Sequence, residues 1–187
     1  MNIFFVHTNP AYAAQHLCDS HVVKMILESC QMLSTAHRVL DGEDVDPSLY
    51  KIAHKNHPST IWCRSSVDQY QWLYEHMRAM CYEYTKRYGK IHTCETKLLD
   101  VLNKFPANIE DNGFIPPPLC MPEQYKSHLS GQYSMDEAVE AYRSFYVCEK
   151  AKFAKWKHGN MPQWFKDGYE LEEMYAGRDI EILEGVA

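Results

Sequence analysis

His21-Val22-Val23-Lys24-Met25-Ile26-Leu27-Glu28-Ser29-Cys30-Gln31-Met32-Leu33-Ser34-Thr35-Ala36 is the stretch whose reading decides the fold. Placed at helical steps around an axis, His21, Lys24, Glu28, Gln31 and Thr35 fall on one stripe, each three or four positions from the next. Val22, Met25, Ile26, Ser29, Leu33 and Ala36 form the main apolar face. Val23, Leu27 and Cys30 flank the polar stripe on its other side. An ordinary surface helix has a broad polar face open to water. Here the polar row is narrow and edged by apolar residues on both sides. The pattern predicts a helical protein whose opening helix turns a charged row inward, toward a cavity.

Outward from this run, Pro10 suits a first helical turn, and the expected helix covers about residues 11–38, ending near Asp41-Gly42. Before it, residues 3–7 read as a short extended segment. Ser66-Val-Asp-Gln69 resembles a capping box for a helix reaching Tyr88, with Gly89 as its stop. Thr93 is placed to cap a shorter helix through Asn103. Residues 105–133 hold Pro106, Pro116-Pro117-Pro118 and Pro122 and predict a long irregular connection, a feature often tied to function. Ser134-Met-Asp-Glu137 is a second capping box, for a helix to about His158. The fold class is therefore mainly α: a single-domain irregular helical bundle, residues 1–166, with a long Pro-rich loop and an acidic tail, 167–187.

Charge is unevenly spread. The net charge is -6, but residues 167–187 hold seven acids and one base, Arg178, so the remainder carries 18 of each. Segment 143–166 sets Arg143, Lys150, Lys152, Lys155, Lys157 and Lys166 against Glu149 alone, interleaved with Phe153, Trp156, Trp164 and Phe165. Such a helix either docks phosphates and stacks bases or is a solvated face with its aromatics turned to the core. The neutral body argues against strong non-specific binding to long DNA. Seven cysteines, an odd number with no Cys-x-x-Cys pair, fit reduced thiols rather than a disulfide framework. No apolar run is long enough to cross a bilayer, and the first residues lack the pattern of a signal peptide, so the expected location is the cytoplasm.

Glu28 and His21 are acid–base candidates, and Lys24 is an electrostatic or amine group beside them. The alternative for the same residues is an exposed ion pair worth tenths of a kcal/mol. His54-Lys55-Asn56-His57-Pro58, followed by Trp62 and Arg64, supplies cations for phosphate and a ring for stacking. His57-Pro58 also fits a helix cap or turn. His54 and His57 share a metal-like spacing but lack a third ligand nearby, so no metal and no cofactor is expected. Gly-rich phosphate loops and nucleophile elbows are absent.

Gln15-His16-Leu17, Lys55-Asn56-His57-Pro58, Trp72-Leu73 with Tyr84-Thr85-Lys86-Arg87-Tyr88-Gly89, and Pro162-Gln163-Trp164-Phe165-Lys166 carry a resemblance. The chain looks like a phage protein family over most of its length. More remotely, it is similar to pyrimidine-dimer DNA glycosylases of the phage endonuclease V type. That resemblance implies a shared helical fold and the cytoplasm of an infected host cell. It also implies a reaction in which an N-terminal α-amine attacks the sugar carbon, a glutamate assists, and a Schiff base forms. The resemblance would set the glutamate near Val22 and Val23, whereas Glu28 lies more than a turn further on. Asn2 is bulkier than the second residues that permit methionine removal, so the amine would be that of Met1.

The function expected is enzymatic processing of a base or glycosidic bond in a nucleic acid or nucleotide. Glu28, His21 and Lys24 are expected at the chemistry. His16, Gln31, His54, Lys55, Asn56, His57, Arg64, Lys152 and Lys155 are expected on phosphate or sugar, with Trp62 or Trp164 on a base. A base within duplex DNA must then be flipped out. Two other readings remain open: a non-catalytic binder that sequesters a nucleotide-like small molecule, and a helical interaction module with a DNA-mimicking acidic tail.

Overall fold

The computed structural model describes residues 1–42, 44–129 and 131–184, with side chains as far as residue 173. The helices are α1 (Pro10–His16), α2 (Asp19–Leu40), α3 (Pro58–Cys63), α4 (Val67–Tyr88), α5 (Thr93–Leu102), α6 (Met135–Lys150) and α7 (Gln163–Glu184), with one 3₁₀ turn at Glu123–Tyr125. There is no strand among the described residues, and no described helix is long and apolar enough to cross a membrane. The acids Asp179, Glu181 and Glu184 and the base Arg178 of the expected tail lie outside the described side chains. Helix α7 itself runs across position 166.

The core forms where the apolar faces of α1 and α2 meet α4. Val22, Met25, Ile26, Met32 and Leu33 from α2 join Leu73, Met77 and Met80 from α4, all at most 2% exposed. Burial of side chains of this size contributes about 1.5–3 kcal/mol each. Residues 3–6 thread through this core as an unpaired segment packed by Phe5 and Val6; it is not the extended run expected, because Phe4 stands at a φ of 53° and the Val6 N–H turns back onto Phe4 O. Helix α7 lies close on α6 because Gly168 has no side chain; a Cβ there would stand 2.9 Å from Val147.

Several expected boundaries shift, each for a tertiary reason. The single helix expected over 11–38 is two, broken at Leu17 and Cys18, whose backbones are extended. The groups that would continue the helix are taken from elsewhere. Arg87 donates to the carbonyls of Gln15 (2.9 Å) and Leu17 (2.8 Å), Trp156 Nε1 donates to His16 O (3.2 Å), and Cys18 N–H donates to the Tyr146 hydroxyl (3.0 Å). Helix α6 stops at Lys150, not near His158. Asp19 draws the following chain away: its N–H donates to Lys155 O, and its carboxylate accepts from the N–H groups of Lys157 and His158. Ser66 begins α4 without forming the expected box; its hydroxyl accepts instead from Asn112 N–H of the long loop. The Ser134–Glu137 box forms in full, and Gly89 ends α4 in the left-handed conformation. Helix α3 is an addition, capped by the His57 side chain.

Candidate active site

The polar row of α2 is split by depth. Thr35 and His21 are buried at the two ends, Glu28 is 15% exposed, and Lys24 is 69% exposed. Thr35 exchanges hydrogen bonds with the backbone of Ala53, and Arg38 donates to the carbonyls of Leu49 and Tyr50. These ties fasten the 49–53 segment along α2 and carry His54 to His57 toward Glu28.

Glu28 is the centre of the arrangement. Its Oε2 accepts the N–H of Asn2 at 3.1 Å and lies 4.0 Å from the α-amine of Met1. Its Oε1 faces Lys24 Nζ at 3.3 Å. One carboxylate therefore stands between an α-amine and a lysine amine. Asn2 completes the anchorage: Nδ2 donates to Cys120 O (2.8 Å), while Oδ1 accepts from the N–H groups of Ile3 (2.7 Å) and Phe4 (3.1 Å). The Met1 side chain is seated, 2% exposed, with the Thr60 hydroxyl 3.6 Å from its sulfur.

The amino terminus borders a cavity of about 760 Å³. Met1, His57 and Pro58 form one wall, and the Pro-rich connection supplies the other through Pro118, Cys120, Met121, Lys126 and Tyr133. A space of this size accommodates a nucleotide-sized ligand. His57 Nδ1 accepts the N–H of Ser59 at 3.2 Å, so its neutral ring carries the proton on Nε2. Its pKa is lowered, first by burial and then by the positive charge of the Met1 amine, with His54 adding to the effect and Glu28 opposing it. Lys24 and Lys152 lie within electrostatic reach of Lys150; burial lowers the pKa of Lys150, Glu149 opposes this, and the two lysines add to the lowering. Cations so grouped match the charge of a sugar–phosphate backbone.

Other expected residues stand elsewhere. His21 is enclosed by aromatics: its ring stacks on Phe4 at 4.4 Å, and Nδ1 shares a 2.7 Å hydrogen bond with the Tyr146 hydroxyl. Burial, aided by Lys150 and Lys24, pushes its pKa down to about 4. Trp62 is 4% exposed, gives its Nε1–H to Ile115 O, and packs edge-on against Trp72 and Phe114, so neither ring face is offered to a base. Arg64 donates to Lys55 O and braces the 54–57 turn, in which His54, Lys55 and Asn56 are exposed and His54 adopts a φ of 48°. Gln31 is half-buried, and Lys152 and Lys155 are exposed. His16 and Trp164 form a separate cluster, where Trp164 Nε1 donates to His16 Nδ1 (3.2 Å) and Arg143 lies over the Trp164 ring at 5.3 Å. Burial lowers the pKa of His16 to about 4, with His7 and Arg143 adding to the effect. Asn2, Cys120, Lys126, Tyr133 and Lys150 are site residues that the sequence reading did not single out. The length and proline content of the 105–133 connection were the signal that pointed toward three of them.

A sequence model described as pyrimidine dimer DNA glycosylase matches residues 1–96, just over half of the chain. The chain belongs to the pyrimidine dimer DNA glycosylase family. No curated protein and no solved structure matches it. The part that matches the glycosylase family contains Met1, His57 and Pro58, one side of the cavity, and Glu28 beside the Met1 amine. The opposite wall, together with Lys150 at the end of α6 and Lys152 just after it, comes from sequence beyond the matched region. Among the described residues, no group of three or more His, Cys, Asp or Glu is placed to hold a metal ion.

Proposed function

We propose that the chain acts on DNA as a glycosylase with the α-amine of Met1 as nucleophile and Glu28 as its acid–base partner. One observation carries this reading: the Glu28 Oε2 lies 4.0 Å from the α-amine of Met1, and Met1 lines the open cavity. A damaged or otherwise displaced nucleotide, turned out of the duplex, places its base in the cavity and its C1′ at the amine. The uncharged amine uses its lone pair to form the N–C1′ bond as the C1′–base bond breaks. The electron pair leaves with the base, which takes up a proton. Glu28 accepts a proton from the attacking nitrogen and stabilises the positive charge that develops. The nitrogen lone pair then forms the C1′=N bond as the C1′–O4′ bond breaks, and O4′ keeps that electron pair and takes the proton held by Glu28, which leaves a Schiff base between Met1 and C1′. Lys24, Lys150 and Lys152 hold the backbone phosphates, and the His57 Nε2–H donates to a sugar or phosphate oxygen.

Glu28 meets the amine although it lies more than a turn beyond the place to which the sequence resemblance points. The anchored N-terminal segment accounts for this, since Asn2 brings Met1 along α2 to the level of Glu28. The test is borohydride reduction of the protein mixed with duplexes carrying an abasic site or a pyrimidine dimer, followed by digestion and mass spectrometry. The expected result is a covalent adduct on the Met1 nitrogen. Retention of DNA without any adduct would favour a non-catalytic binder, and an adduct on Lys24 would move the nucleophile.

A further inference from the structure

We infer that Asn2 is the positioning residue of this site, the side chain that fixes where the Met1 amine stands against Glu28 and the cavity. The inference rests on the amine reading above. The first residues of a chain are ordinarily loose unless something ties them down. Here one side chain makes the ties in both directions. The Asn2 amide nitrogen reaches across to Cys120 O at 2.8 Å, and its oxygen folds back to take two successive backbone N–H groups, those of Ile3 and Phe4. Its own backbone N–H binds Glu28 at 3.1 Å.

The fold-back has a cost that marks it as more than convenience. Phe4 is held at a φ of 53°, a region that bulky side chains rarely enter, and such backbone strain persists only where surroundings over-determine it. The two N–H groups gathered by Asn2 Oδ1 and the Val6 N–H to Phe4 O bond at 2.8 Å supply that determination. With residue 2 fixed and the Met1 side chain seated beside Thr60, little rotation remains to the amine. A nucleophile displaced by about 1 Å can lose on the order of 10²-fold in rate, so a residue that removes this freedom acts on catalysis without touching substrate.

The experiment compares wild type with Asn2→Leu and Asn2→Asp in the full chain. Both replacements are bulky second residues, as asparagine is, and intact mass reads which residue carries the amino terminus in each protein. The readouts are the single-turnover rate of borohydride-trapped adduct at saturating abasic duplex, the affinity for that duplex, and the melting temperature. Asn2→Leu is of similar size and makes none of the side-chain hydrogen bonds; its rate is expected to fall on the order of 10²-fold with affinity nearly unchanged. Asn2→Asp keeps the acceptor for Ile3 and Phe4 but not the donor to Cys120, and recovers part of the rate. Its added carboxylate joins Glu28 near the amine, against Lys24, His57 and Lys126, and shifts the pH–rate profile upward because a neighbouring negative charge favours the protonated amine. A lower melting temperature with an unchanged rate per folded molecule would reduce Asn2 to a structural fastener and overturn the inference while leaving the amine reading intact. Should Asn2→Leu fail to fold, an Asn2→Asp protein with wild-type rate and pH profile overturns it equally. Absence of adduct in the wild type itself removes both.

Discussion

Two carboxylate–cation centres lie in this molecule, and they are built on opposite plans. At one, Arg87 is fully enclosed between Glu83 and Asp19, at 3.1 and 3.2 Å, and also gives hydrogen bonds to the carbonyls of Gln15 and Leu17. It is packed so closely that a Cβ on Gly159 would stand 2.6 Å from its guanidinium. At the other, Glu28 faces two amines of different kinds and is partly exposed, and one of those amines belongs to Met1, which lines a cavity. At the first centre the Arg87 guanidinium spends its hydrogen bonds on the protein, on two carboxylates and two carbonyls. At the second the carboxylate is set against the chain terminus that lines the large cavity. The difference separates charge used to fix a chain path from charge available to a ligand, a distinction that the residue types alone do not make.

The comparison predicts opposite phenotypes. Glu28→Gln keeps the shape and the acceptor for Asn2 N–H but loses the charge and the proton acceptor. The adduct-forming rate is expected to fall by about 10²–10⁴-fold, the usual contribution of a positioned acid–base group, with little change in melting temperature. A Gln variant of wild-type rate would break the contrast. Arg87→Met does the reverse. It strands Glu83 and Asp19 and frees two carbonyls, and is expected to cost about 3–5 kcal/mol of stability in urea titration. Its rate per folded molecule stays that of wild type; a specific loss of rate would place Arg87 in the machinery.

His21 sharpens the comparison with a smaller effect, because it shares the Glu28 row but has the enclosure of the Arg87 centre. Its pKa of about 4 lies below the ordinary 6.5. Between these values the unfolded chain takes up a proton that the folded one refuses, so stability falls as pH is lowered through this window. His16 and His76, also at about 4, act in the same direction. Replacing His21 by Gln is expected to flatten the pH dependence of urea stability by up to one proton, about 1.4 kcal/mol per pH unit. An unchanged slope, together with a shift in the pH profile of adduct formation, would return His21 to the chemistry.

What could be read in the sequence was local. The capping box at Ser134 and the stop at Gly89 are written within a few residues of where they act, and each appears in the fold; the α2 row expected to face inward does so only in part, since Lys24 is exposed. The break between α1 and α2 is not, because the groups responsible, Arg87, Tyr146 and Trp156, lie 70 to 140 residues away along the chain. The site divides in the same way. Glu28 and Lys24 stand out from their helical spacing. Trp62 looked equally suitable as a stacking ring, yet the loop carbonyl of Ile115 and the neighbouring Trp72 and Phe114 enclose it, and nothing near Trp62 in sequence announces that. Asn2 carries no pattern at all; its meaning comes from Cys120, 118 positions on.

That last separation bears on how the protein comes into being. Contacts between distant parts of a chain close later than local helices, because the intervening loop must be ordered first. During synthesis the α-amine and Glu28 emerge early, while the carbonyl that moors Asn2 and the far wall of the cavity begin to follow only about 90 residues after Glu28. On the proposed reading, a nascent chain thus bears its nucleophile on an untethered end, and docking of the Pro-rich segment onto Asn2 sets that end beside the cavity.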